Sequence, residues 1–328
     1  MEEPGQGGSE AGAGRRNALA LLAGAALFLG SFLVGCGGSS IPSGPTAPTA
    51  QSVPSPSPTP ALPPRVLVLS VDGLRPEGLE LEGASNIAAL MARGTAALGA
   101  RTIFPSLTLP SHTSMLTGYA PSAHGVVWND WYPDRHLTVP TMFLIARRAG
   151  FRTTLVAGKE KFHEFDEPGC LDTFLLRSGD VAVANEAAVQ ALAGFDLMFV
   201  HMPDVDRVGH RSGWLSPEYD EQVVETDRAV GRVLAALPRG TTVILTADHG
   251  GHDRTHGLDQ PSDMSIPWII AGPGVMEGGV LPSSVKVSTM DTAATALHVL
   301  GLQLPAGASG RPVLAAFRSH SLALRPAA

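Results

Sequence analysis

Three acids and three histidines stand at abrupt changes in the character of this sequence: Asp72 before Gly73, Asp206 four residues ahead of His210, the pair Asp248-His249, and His256. Carboxylate oxygens mixed with imidazole nitrogens form the kind of shell that suits Zn2+ or Mn2+. Singly, each has a plainer reading: Asp72-Gly73 as a turn, Asp248-His249-Gly250 as a polar loop, Asp206 with His210 as a solvated pair. As a set they predict a metal centre. His252 lies in the same short loop after Asp248 and competes with His256 for one coordination place, the other imidazole then supporting the site from outside.

The elements that must position them alternate along the chain. Residues 65–71 (RVLVLSV) form a continuous apolar run typical of a strand covered on both faces, and it stops at Asp72. Helices are predicted over 84–93 and 141–148, each closed by a glycine, then over 185–192 and within 217–237. Strands are predicted over 151–157, 196–201 and 241–246. Alternation of this kind predicts an α/β fold, a doubly wound and mainly parallel sheet with helices on both faces, in which ligands bind beyond the carboxyl ends of the strands. Asp72, the 203–210 segment and Asp248-His249 all follow such strands.

The stretches VDG at 71–73, FPSLTLP at 104–110, DRVGH at 206–210 and ADHG at 247–250 resemble the alkaline phosphatase superfamily, and within it the type I phosphodiesterase and nucleotide pyrophosphatase branch. The resemblance runs from Arg65 to Leu302. It implies two divalent cations, zinc by preference, one held by Asp72, Thr108, Asp248 and His249 and the other by Asp206, His210 and His256. It also implies that Thr108 is the nucleophile, attacking phosphorus to give a covalent phosphothreonine, and that the amide of Asn129 donates to a phosphate oxygen. A helix starting just after Thr108 would turn its amides towards that phosphate; the competing role for Thr108 is a helix N-cap without chemistry. Lys159 and Lys161 follow a predicted strand near the active edge. They are expected to meet a substrate phosphate or carboxylate, as lysines do in phosphonate-cleaving relatives, unless they are simply solvated at a helix start. Trp128, Trp131 and Tyr132 flank Asn129, either to stack on a planar group or as loop packing.

A threonine nucleophile argues against a sulfatase and favours a diester or pyrophosphate substrate, with a phosphonate hydrolase or phosphomonoesterase as the alternative. Two departures from the family stand out. His256 comes only six residues after Gly250, where larger relatives carry an insertion, and Ser111 stands where many relatives have asparagine.

With Lys and Arg numbering 23 against 30 acids, a net charge of −7 provides no basic field for polymeric nucleic acid. Residues 1–35 resemble a bacterial lipoprotein leader, since Arg15-Arg16 precede an uncharged run that ends Leu33-Val34-Gly35-Cys36. Cys36 is the expected lipidation site, placing the protein on the cell envelope at a periplasmic or extracellular face; the alternative is a plain membrane anchor. Residues 36–64 read as a disordered Pro/Ser/Thr-rich stalk, 65–318 as the metallohydrolase domain and 319–328 as a tail. A lipid-anchored solute-binding protein would share leader and stalk but has no use for the ligand set. A small phosphate ester is therefore the expected partner, and the sequence carries no sign of oligomeric state.

Overall fold

The computed structural model describes residues 63–318; the leader with Cys36, nearly all of the stalk, and the tail lie outside the described residues. Among the described residues no helix is long and apolar enough to cross a membrane.

The strands are β1 (Arg65–Val71), β2 (Thr95–Arg101), β3 (Thr153–Ala157), β4 (Thr173–Leu176), β5 (Leu197–Met202), β6 (Thr241–Thr246), β7 (Ser265–Ala271) and β8 (Gly279–Val280). They form one sheet in the order β4-β3-β5-β1-β6-β7-β2-β8. It is mostly parallel; β7 runs antiparallel to both β6 and β2. The helices are α1 (Ser85–Ala92), α2 (Thr108–Thr117), α3 (Pro121–His124), α4 (Met142–Arg148), α5 (Asp180–Ala193), α6 (Asp204–Ser212), α7 (Pro217–Ala236), α8 (Pro261–Met264) and α9 (Asp291–Val299). Helices α1, α5 and α7 pack together on one face, and α2, α4 and α9 on the other. The central strands β1, β5 and β6 are therefore covered on both sides and almost wholly buried, which explains why they read as unbroken apolar runs.

Register places the site. Ser70 of β1 pairs with Thr246 of β6, so the chain two residues on brings Asp72 level with Asp248. On the other flank Val71 pairs with Met202 of β5, after which Pro203 leads into α6 with Asp206 in its first turn. Gly73, at φ +72°, is required where Asp72 turns, because a Cβ there would lie 3.0 Å from the Cα of Asp206. Helix α5 begins five residues before the predicted 185–192: Asp180 and Asp204 accept each other's backbone N–H, which ties the starts of α5 and α6 together. The Ala/Gly-rich β2 (TAALGAR) and the proline-bearing β7 (SIPWIIA) carry weak strand signals, and their pairing comes from the sheet that surrounds them.

Candidate metal centre

Asp72, Asp206 and Asp248 are all buried, and each has one satisfied and one orphaned oxygen. Asp72 Oδ2 accepts from His201 Nε2 at 2.8 Å and from Lys159 Nζ at 2.6 Å. Asp206 Oδ2 accepts from the same ammonium at 2.7 Å, and Asp248 Oδ1 accepts the backbone N–H of Gly73 at 3.1 Å. Their other oxygens, Asp72 Oδ1, Asp206 Oδ1 and Asp248 Oδ2, are buried with no hydrogen-bond partner. An unpartnered buried anion is costly, so three of them aimed into one space call for a cation.

The histidines face the same space with lone pairs. His249 Nδ1 donates to Gly250 O at 2.8 Å, His256 Nδ1 to Ser106 O at 2.8 Å, and His210 Nδ1 to Arg254 O at 3.0 Å. A carbonyl only accepts, so in the neutral ring each proton sits on Nδ1 and each Nε2 presents its lone pair. His249 Nε2 lies 3.4 Å from Asp72 Oδ1, 3.3 Å from Asp248 Oδ2 and 3.5 Å from Thr108 Oγ1. Asp206 Oδ1, His210 Nε2 and His256 Nε2 form a second triangle with sides of 3.4, 3.2 and 3.6 Å. Ligands at roughly 2.0–2.1 Å from a tetrahedral zinc stand about 3.3 Å apart. These separations fall near that spacing, and the donor atoms of Asp72, Asp248 and His249, and those of Asp206, His249 and His256, each gather closely enough to hold a cation. The rings of His249 and His256 stack at 3.7 Å between centroids, which sets the two half-sites side by side.

The balance of charge also calls for cations. Burial, joined by Asp72, pushes the Asp248 carboxyl up to about 7. Burial also works against Asp72, but Lys159, His201 and His249 outweigh it and hold that carboxyl well below the usual range. One ammonium is too little positive charge for three buried carboxylates. His256, pushed down to about 3 by burial and by neighbouring His249, stays neutral and ready to ligate.

Thr108 is the first residue of α2 and is buried; Leu107 occupies the N-cap position, with no side-chain cap. The capping alternative is therefore not realised, and the Thr108 hydroxyl turns towards His249. Of the first-turn amides, that of Leu109 donates to Asn129 Oδ1 at 2.9 Å, Pro110 has none, and Ser111 closes on Leu107 O. This leaves the Thr108 N–H as the first-turn amide without a hydrogen-bond partner among the described residues. Because the Leu109 N–H fixes Oδ1, the Asn129 amide keeps its NH2 as the free donor. Ser111 Oγ bonds Asp248 O at 2.6 Å and Thr102 Oγ1 at 2.7 Å, so the departure at this position braces the Asp248 loop.

Lys159, expected to meet a substrate group or to be solvated, places its ammonium between the carboxylates of Asp72 and Asp206. Lys161 lies two residues on, half-buried, and makes no hydrogen bond or ion pair among the described residues. Burial and then Lys159 lower its pKa, and Asp72, Asp130 and Asp206 are close enough to oppose that shift. The aromatic residues form loop packing: the Arg135 guanidinium lies 4.2 Å from the Trp128 ring centroid and 4.5 Å from that of Tyr132, while Trp131 lies 4.8 Å from His163.

His252 and His256 differ in their partners, His256 facing His210 and Asp206. His252 Nδ1 bonds Asp263 Oδ1 at 2.7 Å, and Asp263 also accepts from Leu258, Gln260 and Ser262, forming a knot that supports the loop carrying His256. His256→Ala is expected to weaken one of two zinc equivalents by at least about 100-fold. His252→Ala should keep both and lose roughly 1 kcal/mol of stability. Zinc titration and thermal melts of the two variants check this; equal zinc loss in both would reverse the assignment.

Sequence reasoning missed the residues that hold the ligands. The indole of Trp214 and the hydroxyl of Tyr219 both donate to Gly73 O, at 2.9 and 3.0 Å, and pin the Asp72 turn. His201 on β5 reads as an ordinary strand residue; its one signal is an imidazole inside an apolar run.

Comparison with known proteins places these features in a family. The sequence profile of the type I phosphodiesterase/nucleotide pyrophosphatase family matches residues 66–161 and 163–264. An uncharacterised pyrophosphatase/phosphodiesterase of Schizosaccharomyces pombe is 26% identical over 234 residues, covering 62% of this chain and 47% of the relative. Human ectonucleotide pyrophosphatase/phosphodiesterase family member 7 is 29% identical over 227 residues, covering 57% of this chain and 47% of the relative. The chain thus spans about half the length of these two relatives. Among solved structures, human ectonucleotide pyrophosphatase/phosphodiesterase 5 superposes with a TM-score of 0.66 at 14% identity, over 78% of this chain and 100% of that one. An inactive form of the murine counterpart gives 0.63 at 15%, over 74% and 96%.

Proposed function

Since the chain belongs to the type I phosphodiesterase/nucleotide pyrophosphatase family, we propose that it hydrolyses phosphate diesters or pyrophosphates at two divalent cations, by way of a phosphothreonine at Thr108. The observation that carries this reading is the pair of ligand triangles, with orphaned carboxylate oxygens and imidazole lone pairs converging beside one buried threonine hydroxyl. Asp72, Thr108, Asp248 and His249 would hold one cation, and Asp206, His210 and His256 the other. Bound there, cations would lower the pKa of a hydroxyl or water and offset charge on the leaving oxygen. Thr108 Oγ forms the new bond to phosphorus as the ester bond breaks, and water then displaces the threonine to release a phosphomonoester. The Asn129 amide and the Thr108 N–H donate to non-bridging oxygens as negative charge develops on them. The murine relative, an inactive threonine-to-alanine variant in complex with AMP, supports both the role of the threonine and a nucleotide-sized ligand.

Lys161, uncommitted and half-buried, is suited to a second negative charge on the substrate. The test is turnover of bis(p-nitrophenyl) phosphate, p-nitrophenyl phosphate and phosphonoacetate, and the diester is expected to be fastest. A chain that fails on diesters and pyrophosphates while cleaving either of the others would overturn the reading. Within the same assay, Lys161→Met should raise KM roughly tenfold for a dinucleotide or nucleoside triphosphate and leave the singly charged model diester nearly unchanged. An equal effect on both would remove Lys161 from substrate recognition.

By the leader motif, we further read the domain as exported and tethered to the envelope through Cys36.

A further inference from the structure

We infer that His201 is a positioning residue of the metal centre: it fixes Asp72 so that Oδ1 alone is left for a cation, and it joins the turn carrying Lys159 to that same carboxylate. The inference rests on the two-cation reading and adds a residue that neither the motifs nor the family match assigns.

His201 is fully buried on β5, beside the end of β1, where its residue pairs with Ser70. Its Nδ1 accepts the backbone N–H of Gly158 at 3.2 Å. A backbone N–H only donates, so that nitrogen carries no proton and Nε2 must. Nε2–H then donates to Asp72 Oδ2 at 2.8 Å. This tautomer is the opposite of that in His210, His249 and His256, whose Nδ1 atoms donate to carbonyls and whose Nε2 lone pairs face the carboxylates. Among these four histidines, His201 alone directs an N–H at a ligand carboxylate.

The ring has little freedom to turn. Phe162 lies 4.3 Å away and His112 5.1 Å, centroid to centroid. Gly158 is equally constrained, because a Cβ there would come within 2.3 Å of Pro203. The residue after Gly158 is Lys159, whose ammonium reaches Asp72 Oδ2 at 2.6 Å and Asp206 Oδ2 at 2.7 Å. One imidazole therefore braces Asp72 directly and, through Gly158, the lysine that spans both half-sites. A buried core histidine needs partners of some kind. What distinguishes this one is that its partner is a carboxylate whose second oxygen is orphaned and points at the ligand triangle. Hydrogen bonds to ligating carboxylates set their orientation, and their loss typically weakens metal affinity by about 10–100-fold.

Zinc affinity of the whole chain, measured by chelator competition, tests this in the wild type, His201→Phe and His201→Gln. The glutamine amide can donate from near the place of Nε2, whereas phenylalanine fills the volume without a donor. His201→Phe should weaken one zinc equivalent by about 10–100-fold and the other far less, with most of the loss recovered in His201→Gln. Unchanged affinities in His201→Phe, or equal losses in the two folded variants, overturn the inference. Should the phenylalanine variant not fold, two-bond 1H–15N correlations in 15N-histidine-labelled wild-type protein still decide. A positioning role requires the Nε2–H tautomer at His201, and an Nδ1–H tautomer defeats it. Wild-type protein that takes up no zinc defeats the two-cation reading and the inference with it, whereas two tight zinc ions in both wild type and His201→Phe defeat the inference alone.

Discussion

Thr108→Ala is expected to lower turnover by roughly four to six orders of magnitude while leaving the fold and both metal equivalents in place. The hydroxyl is buried at the first residue of α2, 3.5 Å from His249 Nε2, and serves no capping role. Its removal deletes the attacking atom and one proposed ligand, while Asp72, Asp248 and His249 remain to hold that cation. Water cannot simply take its place, because the hydroxyl is positioned by a helix start whose neighbouring amide is already committed to Asn129. Thr108→Ser should restore part of the rate. Acid-quenched wild-type enzyme should carry on Thr108 the substrate's phosphoryl group, still esterified to the part of the substrate that has not left, and the alanine variant none. Turnover above about 1% of wild type in Thr108→Ala would mean direct attack by water, and the covalent step would have to be abandoned.

Exhaustive chelation is expected to bring activity to background and to lower stability together. Asp72, Asp206 and Asp248 lie in one buried space with Lys159 as their only ammonium partner among the described residues, and each has an oxygen without a hydrogen bond. A cation that binds the folded chain at 100 times its dissociation constant adds about 2.7 kcal/mol. For a domain of this size, that corresponds to a rise in melting temperature of roughly 5–10 °C for each occupied site. Restoring zinc should recover both activity and melting temperature, with the melting gain saturating as sites fill. Undiminished activity after chelation, verified by elemental analysis, would remove the cations from the mechanism.

Asp72, Asp206 and Asp248-His249 were legible as candidates because each lies just past an apolar strand, and strands of a parallel sheet bring their carboxyl ends to one edge. Asp72 and Asp248 meet through the β1–β6 register, and Asp206 through the helix that leaves β5. The spacing from Asp206 to His210 is one helical turn, so α6 presents both to the same side. What was not legible depends on contacts between segments far apart in the chain. Lys159 reads as a substrate-binding or a solvated lysine, and only the approach of the β3 turn to both Asp72 and Asp206 shows its ammonium between two carboxylates. His252 and His256 look alike in one loop, yet Asp263 captures the first, and the second is left facing His210. Thr108 as cap or nucleophile turned on a shift of one residue in the start of α2, finer than composition can define. Trp214, Tyr219 and His201 carry no motif, because holding a ligand from behind requires a partner and not a pattern.

Everything proposed for this chain depends on a site for two cations around Thr108, and the metal content of the purified chain at full activity probes that site without intermediaries. Zinc is added back stepwise to chelated protein, and bound metal per chain is measured beside turnover. Activity should reach its maximum only when two equivalents are bound, with the same two retained in Thr108→Ala. Full activity at one equivalent or none would contradict a two-cation site.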